Sequence, residues 1–263
     1  MKANPSVAIV GFGAVGRSMK TLFPDAVPFD EPLGIGTREQ VNHCQFAFVC
    51  VPTPPDEEQR CDTSIVEDVV SWIECPTIVL RSTVPPGTTE RLTEQYGKRI
   101  VFQPEYGPGE TPDHPFADAR SVRWIILGGR RAWTTPVYDL YATVFSSEIV
   151  MQQTDVRTAE LVKYMENAFL ATKVAFCNEF YDLAVRNGVD YNELRELWLL
   201  DPRIGRSHTW VHPDDRGFGG QCLPKDLQAL VQFGSDTGED LHLLRAVLES
   251  NERVRAEACT EAR

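Results

Sequence analysis

Val7-Ala8-Ile9-Val10-Gly11-Phe12-Gly13-Ala14-Val15-Gly16 is the stretch that decides the fold. An apolar run of buried-strand length meets a G-x-G-x-x-G turn that opens a helical stretch. In a strand–turn–helix unit of this kind each glycine has its own reason. Gly11 allows the tight turn, Gly13 lets a pyrophosphate approach the backbone, and Gly16 permits close helix–strand packing. Val15, inside the same turn, belongs to the cofactor-facing stretch. The helix start then presents free N–H groups and a positive dipole end to the phosphates.

Working outward, Val27-Pro28-Phe29-Asp30 forms a second strand that ends in an acid. Asp30 lies about 20 residues beyond the start of the motif, where a carboxylate accepts hydrogen bonds from an adenosine ribose and repels a 2′-phosphate. The expected cofactor is therefore NAD rather than NADP. The alternative for Asp30 is a solvated turn acid before Glu31-Pro32.

Phe46 to Val51, Thr77 to Leu80, Arg99 to Phe102 and Trp124 to Leu127 repeat the apolar-run pattern, with Pro52-Thr53-Pro54-Pro55 and Gly128-Gly129 as stops. Such strands alternating with helical segments predict a Rossmann-type, doubly wound parallel sheet over residues 1–152. The Trp124 strand reads as the last of them. Beyond about residue 153 the texture changes. Asp155 to Asn187 contains no Pro or Gly, and Leu161, Met165, Phe169, Phe176, Phe180 and Leu183 recur at helical spacing. Thr154 or Asp155 caps this helix and Gly188 stops it. It opens an all-α domain, residues 153–263, which closes on a further helix from near Asp240 through Leu244, Leu248 and Val254.

Composition narrows the function classes. The 263 residues carry 26 basic and 38 acidic side chains, a formal charge of −12, which disfavours nucleic acid as a partner. No run approaches the ~18 apolar residues of a membrane span. The N-terminus shows no signal-peptide core, so the expected location is the cytoplasm. The seven cysteines (Cys44, Cys50, Cys61, Cys75, Cys177, Cys222, Cys259) form neither a disulfide framework nor a zinc pattern, and no metal is expected.

One cysteine stands apart. In Gly217-Phe218-Gly219-Gly220-Gln221-Cys222-Leu223-Pro224-Lys225-Asp226, three glycines over four residues let the backbone fold closely around something small. Cys222 follows them beside a lysine and an aspartate, and a nearby cation favours the thiolate that a nucleophile requires. Lys163 and Asn167, four residues apart, project from one face of the long helix.

These motifs, in this order, resemble the UDP-glucose/GDP-mannose dehydrogenase family over nearly the whole chain. The resemblance rests on the glycine motif at Gly11, Cys50-Val51-Pro52-Thr53-Pro54, Arg81-Ser82-Thr83-Val84-Pro85-Pro86-Gly87-Thr88-Thr89, Pro104-Glu105-Tyr106, the Lys163–Leu170 segment and the Gly217–Asp226 loop. It implies NAD-dependent oxidation of a nucleotide-sugar C6 alcohol to the carboxylate, with two NAD used in succession. Cys222 would add to the intermediate aldehyde as a thiohemiacetal and pass through a thioester. A cation and an amide donor suit a developing oxyanion, the role implied for Lys163 and Asn167. Asp226 would position or deprotonate a water that Thr83 helps hold, Glu105 would assist hydrolysis, and Thr53 would line the cofactor with Thr83. Substrate contacts are implied for Lys163, Asn167, Gly219, Lys225 and Arg203, with Arg206 an equal candidate.

Bland readings stand beside these roles. Lys163 pairs with Glu160 on a solvated face, Glu105 and Thr83 are structural, and Arg203 is surface charge. Three departures from the family also matter. Gly109 stands where a second acid is usual, with Glu110 one place late, and the segment between Asp30 and Phe46 is short. The chain ends at Arg263, within what resembles the family's connecting helix, so the third, nucleotide-binding domain is expected to be absent and substrate affinity weak. The terminal helix carries Leu241, Leu244, Val247, Leu248 and Val254 along one side, which predicts a homodimer built on residues from about 155 onward. Two rival functions remain open: a two-electron β-hydroxyacid dehydrogenase, and a non-catalytic or split-subunit NAD-binding module.

Overall fold

The structure, a computed structural model, describes residues 5–107, 118–145, 149–220 and 222–261, with side chains to residue 257. Gly109, Glu110, Gln221 and the Cys259 side chain lie outside the described residues. The chain divides into two compact units, Met1–Lys163 and Tyr164–Arg263. The division falls inside the long helix, a little beyond the 152/153 boundary suggested by the change in sequence texture.

The first unit is built on seven strands: β1 (Val7–Val10), β2 (Val27–Phe29), β3 (Phe46–Val49), β4 (Thr77–Leu80), β5 (Ile100–Phe102), β6 (Trp124–Gly128) and β7 (Val150–Thr154), in the order β2-β1-β3-β4-β5-β6-β7. The intervening helices are α1 (Ala14–Leu22), α2 (Arg38–Asn42), α3 (Ser64–Trp72), α4 (Thr88–Tyr96) and α5 (Arg131–Ala142). Every residue of β1, β3 and β4 is buried, which is why those strands read as unbroken apolar runs. Alternate residues feed two separate cores. Ala8, Val10, Ala47, Val49, Ile78 and Leu80 face one, while Val7, Ile9, Phe46, Phe48 and Val79 face the other.

Two features depart from a simple parallel sheet ending at Trp124–Leu127. A seventh strand, β7, pairs parallel with β6 from Trp124↔Val150 to Gly128↔Thr154. The junction Phe102↔Gly128 between β5 and β6 is antiparallel, while the other pairings are parallel. The β6–α5–β7 unit therefore runs opposite to the first five strands. At the other edge, the short segment after Asp30 holds only five-residue α2, nucleated by a capping box between Thr37 and Gln40. Strand β2 is consequently the sheet edge, without the further strand that the 3-2-1-4-5-6 dinucleotide-binding order places outside it.

Helix α6 (Val156–Arg186) runs through the division into the second unit, which adds α7 (Tyr191–Trp198), α8 (Leu223–Thr237) and α9 (His242–Glu261). As expected, the Asp155 side chain caps α6 by accepting from the Thr158 N–H at 2.9 Å, and Gly188, with φ +69°, lies just beyond its end. The faces of α6 are less expected. Small residues Ala168, Ala171 and Ala175 pack inward with Phe218, Leu227 and Val247. The large apolar residues point out: Met165 is 75% exposed and Phe169 61%, and Phe176, Phe180 and Leu183 continue the exposed stripe.

Helix α9 corrects an expectation in the same way. Its apolar side is not left for a partner. Val247 and Val254 are buried, and Leu244 and Leu248 pack against the unit's own core, where the small alanines of α6 leave room for them. Among the described residues α6 carries a long exposed apolar stripe, while on α9 the apolar Leu243 stays exposed. The stretch read as one loop, Gly217–Asp226, is likewise a loop only as far as Cys222, because α8 begins at Leu223 with Pro224 in its first turn.

Candidate active site

In the first unit the expected cofactor residues gather at the carboxyl ends of the parallel strands, where doubly wound sheets bind ligands. Gly11 follows β1 with φ +89°, and a Cβ there would lie 2.8 Å from the Cys50 carbonyl group. A Cβ on Gly16 would lie 2.1 Å from the Gly11 oxygen, so α1 rests on its own strand only because both positions are glycine. Gly13 differs. It is exposed, its φ of −72° suits any residue, and a Cβ there would meet nothing within 4 Å. The protein itself sets no demand for glycine at 13. Val15, half-buried, lies in the first turn of that helix.

Asp30 joins this loop directly. Its Oδ2 accepts from the Phe12 N–H at 2.8 Å and its Oδ1 from the Leu33 N–H at 3.1 Å. It is therefore not a freely solvated turn acid but a brace between the glycine loop and the end of β2. Thr53 and Thr83 also come together, the buried Thr53 hydroxyl donating to the Thr83 carbonyl at 2.9 Å. This bond links the loops that follow β3 and β4.

Glu105 pairs with Arg81, a buried guanidinium that also reaches Gln103 and lies 3.4 Å from the Tyr141 hydroxyl. Lys163 is buried, with its ammonium 5.3 Å from the centre of the Tyr106 ring, rather than lying on a solvated face. Glu160, one turn earlier, is fully buried and engaged elsewhere: it accepts from the Gly87 N–H at 2.6 Å and the Thr89 N–H at 2.9 Å. Burial raises its carboxyl above the ordinary glutamate value, against the hydrogen bonds that lower it. Sequence reasoning missed this role. The available signal was that Glu160 shares the inward stripe of Tyr164, Ala168 and Ala171, where an acid needs partners.

In the second unit Asn167, Lys225 and Asp226 form one polar cluster. The Asp226 carboxylate, 2% exposed, accepts from Asn167 Nδ2 at 2.6 Å and pairs with Lys225 Nζ at 2.6 Å. Cys222 is the N-cap residue of α8, and its carbonyl accepts from the Asp226 N–H at 2.8 Å. Cys222 is exposed, whereas Cys44, Cys61, Cys75 and Cys177 are buried. Desolvation raises the thiols of Cys44, Cys75 and Cys177 and so keeps them protonated, Cys75 up to about 12.

The loop before Cys222 is held by residues that the sequence did not single out. Buried Arg216 donates to the Asn178 carbonyl at 3.1 Å and pairs with Asp182 at 2.7 Å, tying the loop to α6. Asn251 of α9 accepts from the Phe218 N–H at 2.6 Å and donates to the Phe218 carbonyl at 3.0 Å. A Cβ on Gly217 would lie 2.5 Å from Asn251 Oδ1, and one on Gly219 2.9 Å from an Arg255 guanidinium nitrogen. These glycines fold the backbone around α9 side chains. Arg203 is not drawn in: its side chain is 87% exposed and doubly bonded to Asp201, and Arg206 pairs with Glu196. Among the described residues no cluster of three His, Cys, Asp or Glu is placed to hold a metal ion. No helix among them is long and apolar enough to cross a membrane.

A doubly wound sheet whose glycine loop leaves Gly13 open at a helix start, braced by an acid at the end of β2, defines a dinucleotide-binding protein. Comparison with known proteins gives the particular family. The family model described as the UDP-glucose/GDP-mannose dehydrogenase family, NAD binding domain, matches residues 31–144, and the model for the family's central domain matches residues 157–253. The chain belongs to the UDP-glucose/GDP-mannose dehydrogenase family, and its cofactor is NAD. Among its relatives, a UDP-glucose 6-dehydrogenase of Rickettsia typhi is 31% identical over 217 residues, covering 78% of this chain and 48% of that protein. A UDP-glucose dehydrogenase structure from Pyrobaculum islandicum matches with a TM-score of 0.83 at 26% identity, over 96% of this chain and 69% of the other. A UDP-D-ManNAc dehydrogenase structure from Pyrococcus horikoshii matches with a TM-score of 0.81 at 26% identity, over 97% of this chain and 70% of the other. The chain spans about half the length of the curated relatives it matches.

Proposed function

We propose that the protein is an NAD-dependent dehydrogenase that oxidises the C6 alcohol of a nucleotide sugar to the carboxylate, with Cys222 as the nucleophile. The observation that carries this reading is the polar cluster at the start of α8. An exposed thiol at a helix N-terminus is joined through one turn to a buried carboxylate held by Asn167 and Lys225. Two-electron oxidation of an alcohol needs no thiol; four-electron oxidation to an acid gains from one. The names of the solved relatives specify different sugars, so the substrate is proposed as a class.

NAD, when bound, supplies the hydride acceptor for both oxidations. Lys163 and Asn167 hold the C6 oxygen as negative charge develops on it. The Cys222 sulfur adds to the aldehyde carbon, forming a C–S bond as the C=O π pair moves to oxygen, so that the carbon's remaining C–H now stands beside an alkoxide. Loss of that hydride leaves a thioester on Cys222. Asp226 takes a proton from the attacking water, the C–S bond breaks, and the thiolate is released with the carboxylate product. Thr83 helps hold the water and Glu105 assists hydrolysis. A panel of nucleotide sugars, free sugars and hydroxyacids, followed by NADH formation, tests the assignment. Turnover confined to hydroxyacids would replace it.

The protein acts, in this proposal, as a homodimer. The supporting feature is the exposed α6 stripe from Met165 through Phe169, Phe176 and Phe180 to Leu183. Burying one such side chain is worth roughly 1.5–3 kcal/mol, and a second copy is the simplest cover. Sedimentation should give a dimer mass that Phe176→Glu splits; a monomer at micromolar concentration would remove this part of the proposal.

A further inference from the structure

We propose that Glu160 is a positioning residue that fixes Lys163 by locking the first turns of α6 onto the Thr83 loop, a role that rests on the reading of Lys163 given above. Helix α4 lacks a capping side chain of its own, because its N-cap residue is Gly87, with φ +93°. Glu160 supplies the missing acceptor from α6, holding the Gly87 N–H at 2.6 Å and the Thr89 N–H at 2.9 Å. A carboxylate there also meets the positive end of α4. The same loop is held at its other end by the Thr53 hydroxyl on the Thr83 carbonyl, at 2.9 Å. The loop is thus held at Thr83 by Thr53 and at Gly87 by the helix that carries Lys163.

The lock passes to Lys163 through the helix itself. Residues three apart lie on neighbouring positions of one face, so fixing Glu160 fixes the rotation and height of Lys163. That setting places the Lys163 ammonium 5.3 Å from the centre of the Tyr106 ring. Arg157, one turn before Glu160, also reaches α4, but both side chains of its pair with Glu90 are exposed and solvent weakens that tie. Glu160 touches neither a reacting atom nor a cofactor in this account and acts only through what it fixes.

The test compares Glu160→Gln, Glu160→Asp and, as a surface control, Arg157→Gln. Glutamine keeps the shape but turns one acceptor into a donor aimed at a backbone N–H; aspartate keeps both acceptors on a shorter arm. Two readouts are taken: steady-state kinetics on the nucleotide sugar that the unmutated chain oxidises, and the Lys163 Cε resonance in lysine-labelled protein. That resonance is assigned with Lys163→Arg and shifted by the Tyr106 ring current. Glu160→Gln should lower kcat by on the order of tenfold to a hundredfold, as a misplaced group does, with KM for NAD within about twofold. Its Lys163 signal should move toward that of free lysine. Glu160→Asp should fall between, and Arg157→Gln should match the unmutated chain in both readouts. A folded Glu160→Gln with unmoved Lys163 resonance, or with unchanged kcat, overturns the proposal, and if that variant does not fold, Glu160→Asp decides by the same criteria. If the unmutated chain oxidises nothing, the proposed function has failed rather than the lock, which the Lys163 signal then decides alone.

Discussion

Two glycine-rich loops, Gly11–Gly16 in the first unit and Gly217–Gly220 in the second, read alike in sequence and differ in structure. In each, one or more glycines are demanded by the protein: Gly11 and Gly16 by Cys50 and by each other, Gly217 by its φ of +78° and by Asn251, while Gly219 meets only the movable end of the Arg255 side chain. Only in the first loop does an exposed glycine with unstrained backbone, Gly13, face open space. Gly220 also faces open space, but its φ of +74° is reason enough for glycine. Glycine spacing therefore reports that something comes close to the backbone, not what comes close. The first loop leaves open backbone at a helix start; the second seats the segment before Cys222 on α9.

Substitutions can break this contrast, and the largest effect is expected where two backbones touch. Gly16→Ala should destabilise the chain by about 3 kcal/mol or more, since backbone on both sides leaves nothing flexible to give way. Gly217→Ala should cost about 2 kcal/mol, from its left-handed conformation and the displaced Asn251 amide, without weakening NAD binding. Gly13→Val should do the reverse. It should lower NAD affinity by about tenfold or more, worth ~1.4 kcal/mol, while unfolding in denaturant shifts by about 1 kcal/mol or less. Equal loss of NAD affinity in Gly13→Val and Gly217→Ala would erase the distinction. A smaller effect is expected of Asp30→Ala, which should narrow the preference for NAD over NADP in titration calorimetry. Equal affinities for the two in the unmutated protein would remove Asp30 from the ribose site.

The smallest expected effect is a pH dependence at Glu160, and its sign is fixed by burial. Its carboxyl is raised above the ordinary value of 4.5, chiefly by desolvation, with Glu90 adding to the shift and Arg157 nearby. Between 4.5 and the raised native value the folded chain holds the proton more firmly than the unfolded one. This group therefore makes folding stability fall as pH rises through that window, and the contribution levels off above it. Subtracting the Glu160→Gln stability profile from that of the unmutated chain should leave this downward slope. A rising difference would mean that the hydrogen bonds from Gly87 and Thr89 outweigh the desolvation.

What the sequence disclosed follows from the same physics. Strands buried on both faces are unbroken apolar runs, and β1, β3 and β4 announce themselves. The sheet-edge strand β7, Val150-Met151-Gln152-Gln153-Thr154, is half-exposed and mixed in polarity, so no such run marks it. Helix α8 hides behind Pro224, which reads as a breaker until it is placed in a first turn. Helix α6 was legible as a helix, but not by face: its small residues pack inward and its large ones outward, reversing the usual guess from size. At the site, Asn167 and Asp226 were legible as separate motif residues. Their 2.6 Å contact depends on how α6 and α8 pack, which no local spacing encodes. Glu160 was concealed because its partners, Gly87 and Thr89, are backbone groups far away in sequence.

The most direct test of the central claim is the number of NADH molecules formed per molecule of nucleotide sugar consumed, measured with the unmutated chain and with Cys222→Ser. The account predicts two NADH and a carboxylate product for the unmutated chain, and loss of net acid formation in Cys222→Ser with NAD affinity retained. One NADH per substrate, with Cys222→Ser as active as the unmutated chain, would contradict it.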